Sequence, residues 1–299
     1  MRPADFARLV ALAAIWSLSF VFMRVVAPPL GPAWTAGLRV LIGGAALVAW
    51  LALSSRDASL REHWRAYLVI GAVNSALPFF LFAYAALSLP ASYLVILNAM
   101  VPLFAVVLAA LFLGEPLTLA KVAGIGIGIV GVALVTGAGA IAMDAAAWLA
   151  VTAALTACVC YAGTAVYIKL RGQALPPNAI AAWSQLFAAL VLLPPALAFP
   201  PSGPVTPVVV ANLLGLALLC SAVAYLLYFR LIRDIGPTRT ATLTLIMPAF
   251  GIVWGAVLLG ESITLTMLAG AALIVAGVAA VLRPSPAPGT PRARAASNG

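Results

Sequence analysis

The chain has 299 residues, of which 65% are hydrophobic and only 8% charged, with a mean hydropathy of +1.16. A soluble domain carries about 25% charged residues, so a water-soluble globular protein is excluded. The net charge of +9 and pI near 10.1 do not make a nucleic-acid binder, because the basic residues are scattered over several short segments, where anionic lipid headgroups account for them.

Apolar runs between Pro, Gly and charge interruptions predict ten helices, each long enough for a hydrocarbon layer of ~30 Å. They fall at 7–27, 33–54, 64–85, 91–112, 118–138, 146–168, 178–199, 206–229, 238–259 and 264–282. The first carries Trp16, Ser17 and Ser19, with Arg24 toward its end as an interfacial anchor. In the second, Arg39 lies seven residues past Pro32, about 10 Å along the axis. It has no acid in its own helix, so it is a candidate to hold a substrate carboxylate, to bind helix-end carbonyls or to snorkel to the outer headgroups. The third carries Asn74 and Ser75, and the fourth Asn98 one turn before Pro102, where the missing N–H and the ring clash predict a kink. Glu115 follows Gly114 and is expected to cap the N-terminus of the fifth helix. That helix contains Gly126-x-Gly128-x-x-Gly131, but inside an apolar run rather than at a strand-to-helix turn; Gly124-x-x-x-Gly128 predicts close helix contact instead.

In the second half, Tyr161 and Thr164 lie on the sixth helix, and Ser221, Tyr225 and Tyr228 on the eighth. Mixed aromatic and hydroxyl surfaces suit an organic solute with an apolar part, so Trp16, Arg39, Asn74, Asn98, Tyr161 and Tyr225 are the candidate cavity residues; helix packing and an interfacial aromatic belt are the competing reading. Pro248 predicts a kink matching that at Pro102, and Glu261 a cap on the tenth helix. Residues 283–299, rich in Pro, Ala and Ser, read as a disordered tail. Every Asp and Glu falls in a loop or at a helix end, the only His is His63, and the three cysteines sit apart from any zinc or redox spacing. No metal, no cofactor and no His-dependent catalysis are therefore expected, and a lipid-modifying enzyme is the weakest reading.

The chain is also built twice. The run from Pro102 to Glu115 returns as Pro248 to Glu261, 146 residues later, and the register extends to Thr118/Thr264, Gly124/Gly270, Gly131/Gly277 and Ser75/Ser221. Of the sixteen Lys and Arg, only Arg24 and Arg39 lie away from the segments that are cytoplasmic if the N-terminus is inside, which puts both termini in the cytoplasm. Five helices per half is an odd number, so the halves enter the membrane from opposite sides. The expected fold is an all-α polytopic membrane protein of ten helices in two inverted five-helix repeats, 7–138 and 146–282. Such a construction lets two halves exchange inward-facing and outward-facing shapes.

These elements, namely Asn98 through Pro102, the turn Gly114-Glu115-Pro116-Leu117-Thr118, their repeats Met247-Pro248 and Gly260-Glu261-Ser262-Ile263-Thr264, and Arg39, resemble the drug/metabolite transporter superfamily and its bacterial ten-helix branch with two EamA domains. The resemblance covers about residues 9 to 282. It implies a single-chain inner-membrane carrier, sufficient as a monomer, that works by alternating access. Its central cavity would be lined mainly by helices 1, 3, 4, 6, 8 and 9, and its substrates would be amino acids, other small metabolites or drugs, often exported. Two departures stand out: Ser262 replaces the proline expected after the second glutamate, and Gln185 occupies the repeat position of Arg39. Efflux of cationic or lipophilic drugs and a passive channel remain as alternatives.

Overall fold

The computed structural model describes residues 2–54, 60–137, 143–171 and 175–282. The expected tail 283–299 and residue 138 lie outside them. Every regular element among the described residues is a helix, and eight helices are long and apolar enough to cross a membrane. Large apolar side chains such as Leu111, Leu119, Val257 and Leu265 stand exposed on their outer faces, as a lipid-facing surface requires. The chain is an all-α polytopic membrane protein.

The first stretch, Pro3–Leu53, is one long run broken only at Gly31, whose φ of 78° and ψ of 160° reverse the chain between Pro29 and Pro32. Only glycine takes that conformation without strain. Its two arms are α1 (3–30) and α2 (32–53), so the expected loop between helices one and two is a single residue. Then follow α3 (Leu60–Ala85), α4 (Ala91–Leu113), α5 (Leu119–Gly137), α6 (Ala145–Arg171), α7 (Pro177–Ala198) and α8 (Pro207–Ile235). After them, α9 joins the single turn Pro237–Thr240 to Leu243–Leu259, and α10 is Leu265–Leu282.

Two features lay outside the apolar pattern. Both α3 and α8 widen into π-helix, at Gly71–Ala76 and Gly215–Val223, which overlap when shifted by the 146-residue offset. The interruptions of α4 and α9, however, do not match. In α4 the break at Ala99–Met100 immediately precedes Pro102, as expected. In α9 the helix runs unbroken through Pro248, and the interruption falls earlier, at Ala241–Thr242. The repeat correspondence is thus corrected for the breaks, not for the kinks expected at the two prolines: proline removes one hydrogen bond, and neighbouring packing decides where the chain yields.

The expected caps are corrected as well. Gly114 and Gly260 end α4 and α9 in the left-handed conformation, φ 68° and 66°, and the start of each following helix is capped by a threonine. Thr118 Oγ1 accepts from the Lys121 N–H at 3.4 Å, and Thr264 Oγ1 from the Met267 N–H at 3.2 Å. Each glutamate is left to reach elsewhere.

Glycines of the two repeats meet crosswise, in reciprocal pairs. A Cβ built on Gly124 would stand 2.7 Å from the Gly277 carbonyl oxygen, and one on Gly131 would stand 2.8 Å from that of Gly270. Helices α5 and α10 therefore cross backbone to backbone, each glycine of one repeat meeting the other glycine's counterpart. The contact predicted from Gly124-x-x-x-Gly128 is made, with α10 as its partner.

Candidate functional site

Arg39 projects from α2 into the middle of the bundle and is only 5% exposed. Its Nε donates to Ser221 Oγ at 3.0 Å, its guanidinium carbon lies 3.7 Å from the centre of the Phe79 ring, and Nη1 reaches Met23 Sδ at 4.0 Å. The π-helical turn explains why Ser221 is available: its hydroxyl donates in turn to the carbonyl of Leu216, five residues earlier, at 3.3 Å. The repeat partner of Arg39 does the same across the bundle, for Gln185 Nε2 of α7 donates to Ser75 Oγ of the π segment in α3 at 3.4 Å. Each half thus sends its α2 or α7 side chain to the serine of the other half. Close backbone approach makes this reach feasible: a Cβ on Gly43 would stand 2.8 Å from the Ala217 carbonyl, and one on Gly44 would stand 2.9 Å from Gln185 Cβ.

Around this pair stand aromatic rings. The Tyr225 hydroxyl lies against Ser75, Gln185 and Asn74, and Tyr161 and Tyr225 are both within electrostatic range of Arg39. Trp16 meets Tyr225 edge-on at 6.3 Å and Tyr228 at 5.2 Å, while Tyr161 stacks on Phe82 at 6.3 Å. Of the six cavity candidates, the structure brings together Trp16, Arg39, Asn74, Tyr161 and Tyr225. Asn98 is half-buried in α4 and makes no side-chain hydrogen bond among the described residues. Gln185 and Phe79 join the cluster without having been singled out for it; the 146-residue register pointed to Gln185, and nothing in the sequence marked Phe79.

The energetics are lopsided. Burying a guanidinium without a carboxylate costs several kcal/mol, while a cation–π contact returns roughly 0.5–2 kcal/mol and a charge-assisted hydrogen bond roughly 1.5–3. Among the described residues no acid pairs with Arg39, and Gln185 Oε1 is buried with no hydrogen-bond partner. The cluster has a cation and an amide oxygen to spare.

Helix α1 ties the cluster to α9. Ser17 Oγ donates to the carbonyl of Met247, the residue before Pro248, at 2.9 Å, and Trp254 Nε1 donates to the Ala14 carbonyl at 3.1 Å. Glu115, past the end of α4, pairs with Lys169 Nζ at 2.5 Å, and that ammonium holds its carboxyl below the ordinary value. Glu261, past the end of α9, instead reaches the start of α4. Beside the start of α1 and the end of α8, a cleft of about 610 Å³ is lined by five arginines, among them Arg8 and Arg239, with Asp5 and Asp234.

The EamA-like transporter family model matches residues 7–137 and 148–283. An uncharacterized transporter of Bacillus subtilis, YvbV, is 27% identical over 91% of this chain and 90% of its own length. A probable terminal-alkyne amino-acid exporter of Streptantibioticus cattleyicolor is 31% identical over 65% of each chain. A probable amino-acid metabolite efflux pump of Salmonella typhimurium is 27% identical over 88% of this chain and 90% of its own. One solved crystal structure superposes with a TM-score of 0.68 at 20% identity, covering 94% of this chain and 96% of the other, a likeness of fold.

Proposed function

Because this chain belongs to the EamA-like transporter family, and is thereby a transporter rather than an enzyme, we propose that it exports a small organic metabolite carrying a carboxylate, an amino acid or a related compound, by alternating access. The observation that carries the reading is Arg39, a buried cation with a hydrogen-bonded serine, an aromatic ring against its face and no carboxylate of its own. A substrate carboxylate would complete it, with Gln185 Oε1 and the Tyr225 hydroxyl beside it for an ammonium group and the rings of Trp16, Tyr161 and Phe82 for the apolar part. The relatives named for amino-acid export and metabolite efflux support this class and the outward direction.

Aromatic rings favour a cationic drug by roughly 0.5–2 kcal/mol each, and several together offset the repulsion of about 2 kcal/mol that a second cation roughly 7 Å from Arg39 meets at an effective dielectric constant of ~20. The carboxylate reading is preferred because a cationic drug leaves the buried Arg39 without the anion it lacks.

Our reading of the architecture is ten crossings in two inverted repeats, 7–138 and 146–282, in the inner membrane with both termini cytoplasmic. Contacts at the helix ends support it. The end of α1 meets the end of α3, the start of α4 meets the end of α9, and Arg24 and Glu261 border one cleft, while the start of α1 meets the end of α8, as alternating directions and an odd count per half require. The reciprocal pairs Arg39–Ser221 and Gln185–Ser75 follow the same pseudo-two-fold relation.

The test is counterflow of radiolabelled amino acids in proteoliposomes. Wild type is expected to show saturable exchange, and Arg39→Gln to lose about tenfold or more of it at unchanged abundance. Unaltered exchange in Arg39→Gln, or flux that never saturates, would refute the carboxylate site or the carrier reading respectively.

A further inference from the structure

Arg24 on α1 donates through Nη1 to the carbonyl oxygens of Ala86 at 2.6 Å and Leu87 at 3.0 Å, where α3 ends. Glu261 accepts from the N–H groups of Ala91 at 2.6 Å and Ser92 at 3.0 Å, and from the Ser92 hydroxyl at 2.6 Å, where α4 begins. A cation thus rests on the negative end of one helix and a carboxylate on the positive end of the next, each matched in sign to the helix-end partial charge. The turn between α3 and α4 is gripped from both sides. The two prongs come from α1 and from the end of α9 and border one cleft of about 210 Å³ together with Pro90 and Leu259.

The opposite end holds the repeat of this device in another setting. Glu115 is the counterpart of Glu261, and Lys169 stands one residue from the counterpart of Arg24. There the carboxylate takes the ammonium as its partner and accepts from no backbone N–H among the described residues. The sequence supplies a reason: Pro237 occupies the position of Ala91, so the start of α9 lacks the N–H that Ala91 donates.

We propose that Arg24 and Glu261 are the gate residues of the transport reaction, closing the outer mouth by clamping the turn 86–90, and that opening this mouth releases the turn, just as Glu115 at the opposite end holds Lys169 and no backbone N–H among the described residues. The proposal rests on the alternating-access reading. In it the clamp positions α3 and α4 over the Arg39 cluster and touches no substrate.

Double electron–electron resonance in nanodiscs tests it, with the three native cysteines replaced by alanine. One spin-label pair, Leu87→Cys with Ile263→Cys, spans the outer mouth. The other, Arg233→Cys with Leu117→Cys, sits at the repeat-equivalent positions of the inner mouth. Glu261→Ala and Arg24→Ala are each expected to raise the long-distance population of the outer pair about tenfold and to shorten the inner pair. Glu261→Gln, which keeps an accepting oxygen, is expected to fall between. Unchanged outer distances in both alanine variants, at wild-type melting temperature, would overturn the clamp and leave a static cap. An outer pair that lengthens while the inner pair stays fixed would uphold the clamp and sink alternating access. If Glu261→Ala fails to assemble, Arg24→Ala alone decides, because releasing either prong frees the turn.

Discussion

Glu115 and Glu261 each follow a glycine in two similar runs and find different partners, and the pairing of Glu115 with Lys169 is measurable as a titration. The Lys169 ammonium hydrogen-bonded to Glu115 depresses its carboxyl, so the pair contributes at pH above the ordinary carboxylate value and is lost as pH falls through the depressed one. In infrared difference spectra between wild type and Glu115→Gln, the carboxylate band is expected to persist into more acidic solution than that of a free glutamate. In Lys169→Ala it should vanish in the ordinary range; coincident titrations in the two proteins would show that the pair does not form. Both carboxylates were legible as helix-end residues, but their partners were not, because the sequence carries no record of which distant helix end stands opposite. Gln185 shows the same limit in reverse. It was visible only as a departure from Arg39, and its place beside Ser75 became clear once α7 was seen against the π segment of α3.

Among the elements, the crossing of α5 and α10 admits the sharpest test. A Cβ on Gly277 would collide with the Gly124 backbone carbonyl, an atom that a side-chain rotation cannot move aside. Gly277→Ala is expected to lower stability by about 1–3 kcal/mol, read as a fall in melting temperature in detergent, whereas Gly126→Ala, with open space at its Cβ, should melt like wild type. Equal melting of the two variants would mean that the helices cross elsewhere. This contact could be foreseen because small residues at four-residue spacing leave a groove that only another backbone fills. The π segments could not. Widening a turn depends on what the freed carbonyl and side chain meet, here Arg39 through Ser221, and no composition signal marks it. The missing loop between α1 and α2 is a similar case. Three prolines around Gly31 announced an interruption, but whether the chain loops out or reverses within one residue is settled by the left-handed conformation that only the glycine can hold.

For the whole molecule, orientation is the claim on which the rest depends. Cysteines placed at Ile235 should react with a membrane-impermeant maleimide from the cytoplasmic side, and those at Ser88 and Ser202 from the outside; external labelling of Ile235→Cys would undo the inverted arrangement, since the second half would then enter from the same side as the first. Granted that arrangement, the unequal pair Arg39 and Gln185 has an electrical consequence. A unit charge moved through the full membrane field is worth about 2.3 kcal/mol per 100 mV, and the cation sits on one side of the pseudo-two-fold relation with no counterpart on the other. In the proposed cycle a substrate that carries a carboxylate and no ammonium cancels that charge, whereas a zwitterionic amino acid brings its own cation and leaves the loaded cluster at the single positive charge of the empty one. With an amino acid aboard, the membrane potential therefore acts alike on the loaded and the empty strokes, through whatever fraction of the field the guanidinium traverses; with a simple carboxylate it acts on the empty stroke alone, and the resting voltage of the cell then helps to set which face the unoccupied protein presents.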